Sequence, residues 1–398
     1  MPFNPGVTNR RYVLMINRSL KIANRSNISP FFAMEVMRDA NERQAAGEDI
    51  LHLEVGEPCF GAPKKVITSA QQLLEQGSLG YTDALGLPAF RQAISAHYKL
   101  TYGVSIPAAR IVATFGASGA FLLAFLTAFD VGDRVALVEP GYPAYRNILQ
   151  ALGVEVVPIR PGPSSNFHKV MELLQQNDPV QGLIIASPAN PTGTMLTTHE
   201  LATLIAWCRT HQVRLISDEI YHGINYDRTP TTAAESDENV IVINSFSKYY
   251  AMTGWRIGWM VAPDALIPAI EKVTQNFFVS PSALSQEAAI VALGCRDELD
   301  TYVEAYGRNR VALMETLPEI GFSNLHPAHG AFYLYADASN LTNDTSKLCK
   351  QMLQDIGVAT TPGVDFDPRD GHKYVRISFA GREQTIREAC TRLNKWKA

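Results

Sequence analysis

Between residues 110 and 262 the chain alternates short runs of apolar, often β-branched residues with helical patterns, and nothing else in it constrains the fold as strongly. The runs are RIVATFG (110–116), RVALVEP (134–140), VEVVPI (154–159), GLIIASP (182–188), VRLISDEIY (213–221), VIVINSF (240–246) and RIGWMVA (256–262). They are continuously apolar rather than alternating, as strands buried on both faces are. Helices interposed between such strands imply an α/β fold with a mostly parallel, doubly wound sheet of roughly seven strands.

The rest of the chain reads differently. A long helical stretch over 282–317 looks like a connector into a second, smaller α+β unit. There GAFYLYAD (330–337) and YVRISFA (374–380) read as strands, and 346–357 and 382–396 as helices. Gly357 is placed to end the first of these helices. Residues 31–47 are helical and are expected to pack with this C-terminal part. A chain of 398 residues exceeds a single small core. The expected division is an N-terminal arm and helix (1–50), a large domain (51–282) and a small C-terminal domain (283–398).

Composition excludes several classes of function. A net charge of −4 gives no reason to expect nucleic acid or an acidic membrane surface as partner. No apolar run approaches the length that spans a bilayer. The five cysteines are odd in number and dispersed, which fits free thiols in a reducing cytoplasm better than a disulfide framework or a zinc site. Residues 1–34 contain five bases (Arg10, Arg11, Arg18, Lys21, Arg25) and no acid. That composition suits a transit peptide or a basic arm lying on a partner subunit. The arm is preferred, because the stretch leads straight into a helical pattern. His326 and His329 precede a strand without an obvious third ligand and read as loop residues, and Cys208 and His211 lie on a helical stretch without an evident role.

In open α/β sheets ligands gather at the carboxyl ends of strands. The polar residues at these ends are Ser187 and Asn190, then Asp218 and Tyr221, then Ser245, Ser247 and Lys248. The first run leads into GASGAF (116–121), where backbone N–H groups opening a helix suit a phosphate. No G-x-G-x-x-G follows a strand and no G-x-x-x-x-G-K-[ST] occurs, so dinucleotide and P-loop readings fall. An amine, an acid, a phenol, an amide and an anion cradle together fit a phosphorylated pyridine aldehyde, pyridoxal 5′-phosphate (PLP).

At these residues the chain resembles a known family. SFSKYYAMTGWRIGW (245–259) is similar to the lysine signature of class I aminotransferases, the fold-type I PLP enzymes. SPANPTG (187–193), SDEIY (217–221), YTDALGLPAFRQAI (81–94) and VRISFA (375–380) match further hallmark segments. The likeness runs from about residue 28 to the end and is strongest to the prokaryotic aspartate and aromatic branch.

The resemblance implies roles residue by residue. Lys248 is the Schiff-base lysine and the proton-moving amine, and a nearby cation such as Arg256 helps it shed its proton. Asp218 faces the pyridine nitrogen. Tyr221 and Asn190 reach the ring oxygen; Asn190 also precedes Pro191 as a turn residue would. The phosphate is held by Ala117 through its backbone, with Ser118, Ser245, Ser247 and Arg256. Tyr81 joins them across a homodimer interface, so the active sites are shared. Tyr142 stacks on the ring. Arg376 binds the substrate α-carboxylate through a guanidinium fork, and Gly56 brings backbone close to the substrate.

The implied activity is transfer of an amino group from an L-amino acid to a 2-oxo acid by a ping-pong mechanism. No arginine is evident for a dicarboxylate side chain, and the aromatic residues near the pocket segments lean toward apolar or broad substrates. β-Elimination by a C–S lyase uses the same lysine, aspartate and arginine and stays open. A PLP-binding regulatory module is disfavoured, for want of an appended domain or basic patch.

Overall fold

In the computed structural model the described residues are 20–77, 79–162, 167–235 and 237–396. Arg10, Arg11 and Arg18 of the basic N-terminal stretch lie outside them.

Strand β1 (Leu51–His52) lies apart from the main sheet. The seven apolar runs become β2 (Ile111–Thr114), β3 (Arg134–Val138), β4 (Glu155–Ile159), β5 (Gly182–Ala186), β6 (Arg214–Asp218), β7 (Ile241–Ser245) and β8 (Gly258–Val261), hydrogen-bonded in the order β2-β8-β7-β6-β5-β3-β4. Only β8 runs antiparallel to its neighbours β2 and β7; the other pairs are parallel. Successive side chains go to opposite faces. Leu183 and Ile185 enter one apolar core while Ile184 enters another, and this is why the runs are apolar without alternation.

Both faces are covered by helices, numbered here in chain order: α1 (Phe32–Ala45), α2 (Lys64–Gln76), α3 (Pro88–Tyr102), α4 (Gly116–Ala128), α5 (Pro143–Ala151), α6 (Phe167–Gln176), α7 (Thr198–Thr210), α8 (Ile267–Phe277), α9 (Ala283–Ala292) and α10 (Arg296–Glu319). Phe90 and Ile94 of α3, Leu201 and Leu204 of α7 and Ala288 of α9 build one core. Phe121 and Phe125 of α4, Leu149 of α5 and Ile270 of α8 build the other. Helix α4, sandwiched between sheet and outer helices, is apolar almost all round, as a buried helix must be.

The C-terminal part forms β9 (Tyr333–Asp337), α11 (Thr345–Ile356), β10 (Val358–Ala359), β11 (Thr361–Pro362), β12 (Tyr374–Ser378) and α12 (Glu383–Lys395). Strands β11, β12 and β9 pair antiparallel, and β10 pairs in parallel with β1. Gly357 ends α11 at φ 64°, its N–H bonded to Met352 O. Helix α1 lies against β10 and β11. Its N-terminus has no cap of its own; instead the buried Asp365 carboxylate accepts from the N–H groups of Phe32 (3.3 Å) and Ala33 (3.1 Å). A carboxylate on free N–H groups at the positive end of a helix dipole is stabilising.

The expected single helix over 282–317 is two. The chain turns at Gly294–Cys295, and Ser282 caps the start of α9 through its side chain. Helix α9 packs its alanines into the large core, whereas α10 passes from Leu299 in that core to Tyr306, Leu313 and Leu317 in the C-terminal one. Tight packing of α9 against α2 and α3 needs an axis that α10 does not share.

Candidate active site

The register of the parallel strands sets the rim where chemistry is possible. Ala186 of β5 pairs with Asp218 of β6, and β7 ends nearby at Ser245. The loops that follow, with the N-terminus of α4, line a cavity of about 210 Å³. Its wall includes Gly56, Ala117, Ser118, Tyr142, Asn190, Asp218, Tyr221, Ser247, Lys248, Arg256 and Arg376. Eleven of the thirteen residues singled out from the sequence thus meet around one space.

Lys248 Nζ donates to Gly56 O at 2.6 Å. Burial, then the neighbouring Arg376 charge, lowers its amine to about 8, within reach of the neutral, nucleophilic form. Asp218 is buried; Tyr145 Oη donates to its Oδ2, and Ile220 N donates to its Oδ1 at 3.0 Å. Burial raises this carboxyl to about 6, outweighing those hydrogen bonds. Tyr221 Oη lies 2.9 Å from Tyr333 Oη.

Arg376 projects from β12 and is 2 % exposed. It donates to Asn190 Oδ1 at 3.2 Å, to Thr361 Oγ1 at 3.3 Å and to Glu54 O. Its guanidinium carbon lies 4.5 Å from the Tyr333 ring centroid and 4.7 Å from that of Phe366, and such flanking aromatic faces favour a cation. Its Nε has no hydrogen-bond partner.

Helix α4 opens without a side-chain cap, so its first N–H groups are free to meet an anion. Gly116, at φ 66°, is required there: a Cβ would lie 2.7 Å from Arg256 Nη2. Glycine therefore lets the guanidinium stand beside the helix N-terminus. Among the described residues, none of Lys248, Arg256 and Arg376 forms an ion pair within the chain.

Two expected residues stand elsewhere. Ser245 is 1 % exposed and is not on the cavity wall; its Oγ is 2.9 Å from Ser247 Oγ and 3.1 Å from Ile257 O. Ser247, one turn of backbone later, is the serine that faces the cavity. Tyr81 is 87 % exposed and also lies off the wall. Gly56 does permit a close approach, but to a side chain, since a Cβ there would lie 1.7 Å from Tyr333 Oη.

Sequence reasoning missed Tyr145, Tyr333, Phe31, Met34 and Phe121, all on the wall. Tyr145 follows Tyr142, the extended residue before α5, by three positions, and their rings meet edge-on with centroids 5.3 Å apart; that short spacing was the available signal. Phe31 packs edge-on against Tyr142, with centroids 5.8 Å apart; nothing in the local pattern announces that contact. His326 and His329 lie in the loop before β9. Among the described residues no group of three or more His, Cys, Asp and Glu side chains could hold a metal ion.

The profile of the family described as aminotransferase class I and II matches residues 48–393. The chain belongs to that family. This aminotransferase is 46% identical over 381 residues to the valine–pyruvate aminotransferase of Mycobacterium tuberculosis, covering 94% of this chain and 98% of the relative. A crystal structure of an aminotransferase from Mycobacterium tuberculosis superposes with a TM-score of 0.91 at 45% identity, over 95% of this chain and 99% of that one. The aspartate aminotransferase of Thermus thermophilus with maleate matches at TM-score 0.88 and 29% identity, over 94% and 99% of the two chains. The aminotransferase is thus an enzyme of the PLP-dependent, fold-type I class that transfers nitrogenous groups. The β-elimination alternative finds no support in these likenesses.

Proposed function

We propose that this aminotransferase holds pyridoxal 5′-phosphate in the cavity at the strand ends and moves the amino group between a small apolar L-amino acid, valine first, and pyruvate. The observation that carries this reading is the charge balance of the wall. Three cations without an ion pair among the described residues surround one buried carboxylate, a set suited to two separate anions, a phosphate and a substrate carboxylate. The free N–H groups of α4 beside Arg256 fit the phosphate, so the residues present suit the cofactor.

When bound, PLP supplies a ring that accepts electrons from the Cα of an amino acid. Lys248 would hold it covalently, Asp218 would pair its pyridine nitrogen, and Tyr221 and Asn190 would bond its ring oxygen. Ala117, Ser118, Ser247 and Arg256 would hold the phosphate, and Tyr142 would cover the ring. Arg376, fixed between two aromatic rings, offers its guanidinium to the α-carboxylate. Lys248 Nζ, lowered toward neutrality by burial and by Arg376, is the group that takes the proton from Cα and returns it. The apolar wall of Phe31, Ala33, Met34, Val55, Phe121 and Ile220 excludes water from that proton.

The substrate rests on two supports. One is the valine–pyruvate relative. The other is the wall itself, which among the described residues has no arginine or lysine beyond Lys248, Arg256 and Arg376 to receive a second carboxylate. The protein loaded with PLP is expected to form alanine from valine and pyruvate, with kcat/KM for valine at least about 100-fold above that for aspartate, since a buried unpaired carboxylate costs several kcal/mol. A preference for aspartate overturns the substrate, and an absence of amino transfer overturns the reading.

The working unit we propose is a homodimer in which Tyr81 of one subunit completes the phosphate site of the other. In support, Leu79, Tyr81, Phe277 and Val279 are exposed large apolar residues, and Thr82 N bonds Ser280 Oγ at 3.2 Å, tying their two segments together. Exposed apolar patches mark association surfaces. The division into domains is likewise a proposal: the expected boundary at 282–283 falls before α9, whose alanines join the large core, and we move it into α10, where the side chains change core. We place the enzyme in the cytoplasm, which its five free cysteines suit. Among the described residues no helix is long and apolar enough to cross a membrane.

A further inference from the structure

Behind the wall that carries Tyr221 and Asn190 runs a buried chain of hydrogen bonds outside the cavity. Tyr102 Oη lies 2.7 Å from His222 Nδ1, and His222 Nε2 lies 3.0 Å from Ser187 O. A carbonyl only accepts, so Nε2 carries the proton. The imidazole is 6 % exposed, and burial lowers it to about 3. It is therefore neutral, its Nδ1 is an acceptor, and Tyr102 donates to it. Glu219 Oε2 stands farther off, 3.5 Å from the same nitrogen.

The two ends of this chain matter because of what they carry. His222 follows Tyr221 at the end of β6. Ser187 stands three residues before Asn190 at the end of β5. Ser187 N donates to Asp218 O at 3.2 Å; beyond that backbone bond, the His222 side chain spans the two loops. A phenol and an amide arriving from separate strands can serve one atom only if their loops keep a fixed separation, and a short bond through a rigid ring provides that. Tyr102, from α3, holds the ring in the tautomer the bond requires.

We propose that His222 is a positioning residue that sets Tyr221 against Asn190 by bonding Ser187 O through Nε2, with Tyr102 fixing its tautomer. The inference rests on the reading above, in which both groups bond the cofactor's ring oxygen. Hydrogen bonds to that oxygen hold down the pKa at which the cofactor's visible band changes with pH, so the band reports the positioning without turnover.

The test titrates that band in the PLP-loaded wild type, His222→Gln, His222→Asn and Tyr102→Phe, with melting temperatures alongside. Glutamine places an amide N–H near Nε2 and keeps the bond to Ser187; asparagine reaches only the Nδ1 position and loses it. The Gln variant is expected within about 0.3 unit of wild type and the Asn variant about one unit higher. Tyr102→Phe should move the same way by less. An Asn variant that melts as a folded protein and titrates like wild type overturns the proposal, and so does a Gln variant shifted as far as Asn. Should Asn not fold, Tyr102→Phe decides, and an unchanged titration there overturns it. A wild-type protein that forms no visible band overturns the cofactor reading and this inference with it.

Discussion

Asp218 and Glu219 are consecutive residues at the end of β6, both buried, and they face opposite sides of the sheet edge. Asp218 looks into the cavity toward Lys248, and burial raises it to about 6. Glu219 looks the other way, where its Oε1 accepts from Ser217 Oγ at 3.1 Å and Ala233 N at 2.7 Å. Burial raises it to about 7, so a perturbed carboxyl does not by itself distinguish the two regions. Charge does. The cavity side gathers three cations without ion pairs, while the reverse side meets Glu219 with hydroxyls, an N–H and a neutral His222. Charge that the described residues leave unmatched marks the side where a ligand's charge is used; of the three cations Arg376 is buried, Lys248 half-buried and Arg256 exposed.

Three substitutions sharpen or break that contrast. Lys248→Ala should lower turnover by about 10⁴-fold or more, since nucleophile and proton carrier are lost together. Its melting temperature should change little, because only the bond to Gly56 O and no ion pair is removed. Full turnover in a folded Lys248→Ala protein would place the chemistry elsewhere. Arg376→Leu is next. Losing charge-assisted bonds to a carboxylate should raise KM for the amino acid by about 100-fold. It should also raise the Lys248 amine from about 8 toward its ordinary value, because a neighbouring positive charge that disfavours protonation is gone. The pH dependence of Lys248 acetylation in the protein without cofactor, read by mass spectrometry, reports that direction, and a fall would contradict it. Glu219→Gln is the smallest. It keeps an oxygen at the acceptor position, so turnover should stay within about threefold. A loss as large as that of Arg376→Leu would erase the distinction between the two sides.

The fold was legible because burial on both faces leaves a mark in composition. Each strand of the main sheet except the edge strand β4, where Glu155 is exposed, appeared as a largely apolar run, and Gly357 ended its helix where only a residue tolerant of positive φ serves well. That Lys248, Asp218, Asn190 and Arg376 meet at one cavity was legible because their surrounding segments resemble a family's, and because strand ends are where such a sheet places ligands. Ser245 and Ser247 were expected together at the phosphate, and of the two only Ser247 lies on the cavity wall. They differ by two residues at the end of β7, and the turn directs one hydroxyl to Ile257 O and the other to the cavity. Tyr333 and Phe31 come from the C-terminal part and from the segment before α1, and their positions depend on how those pieces dock on the main sheet.

The sequence by itself determined the seven strands of the main sheet, its mostly parallel architecture and most of the residues that meet around the cavity, since those follow from local pattern and from residue type. Tertiary structure alone decided which hydroxyl meets the cavity, that Tyr145 supports Asp218, that Arg376 is held between Tyr333 and Phe366, and that His222 joins two loops. Each of these is a contact between groups far apart in the chain, and its geometry is set by packing that no local pattern encodes.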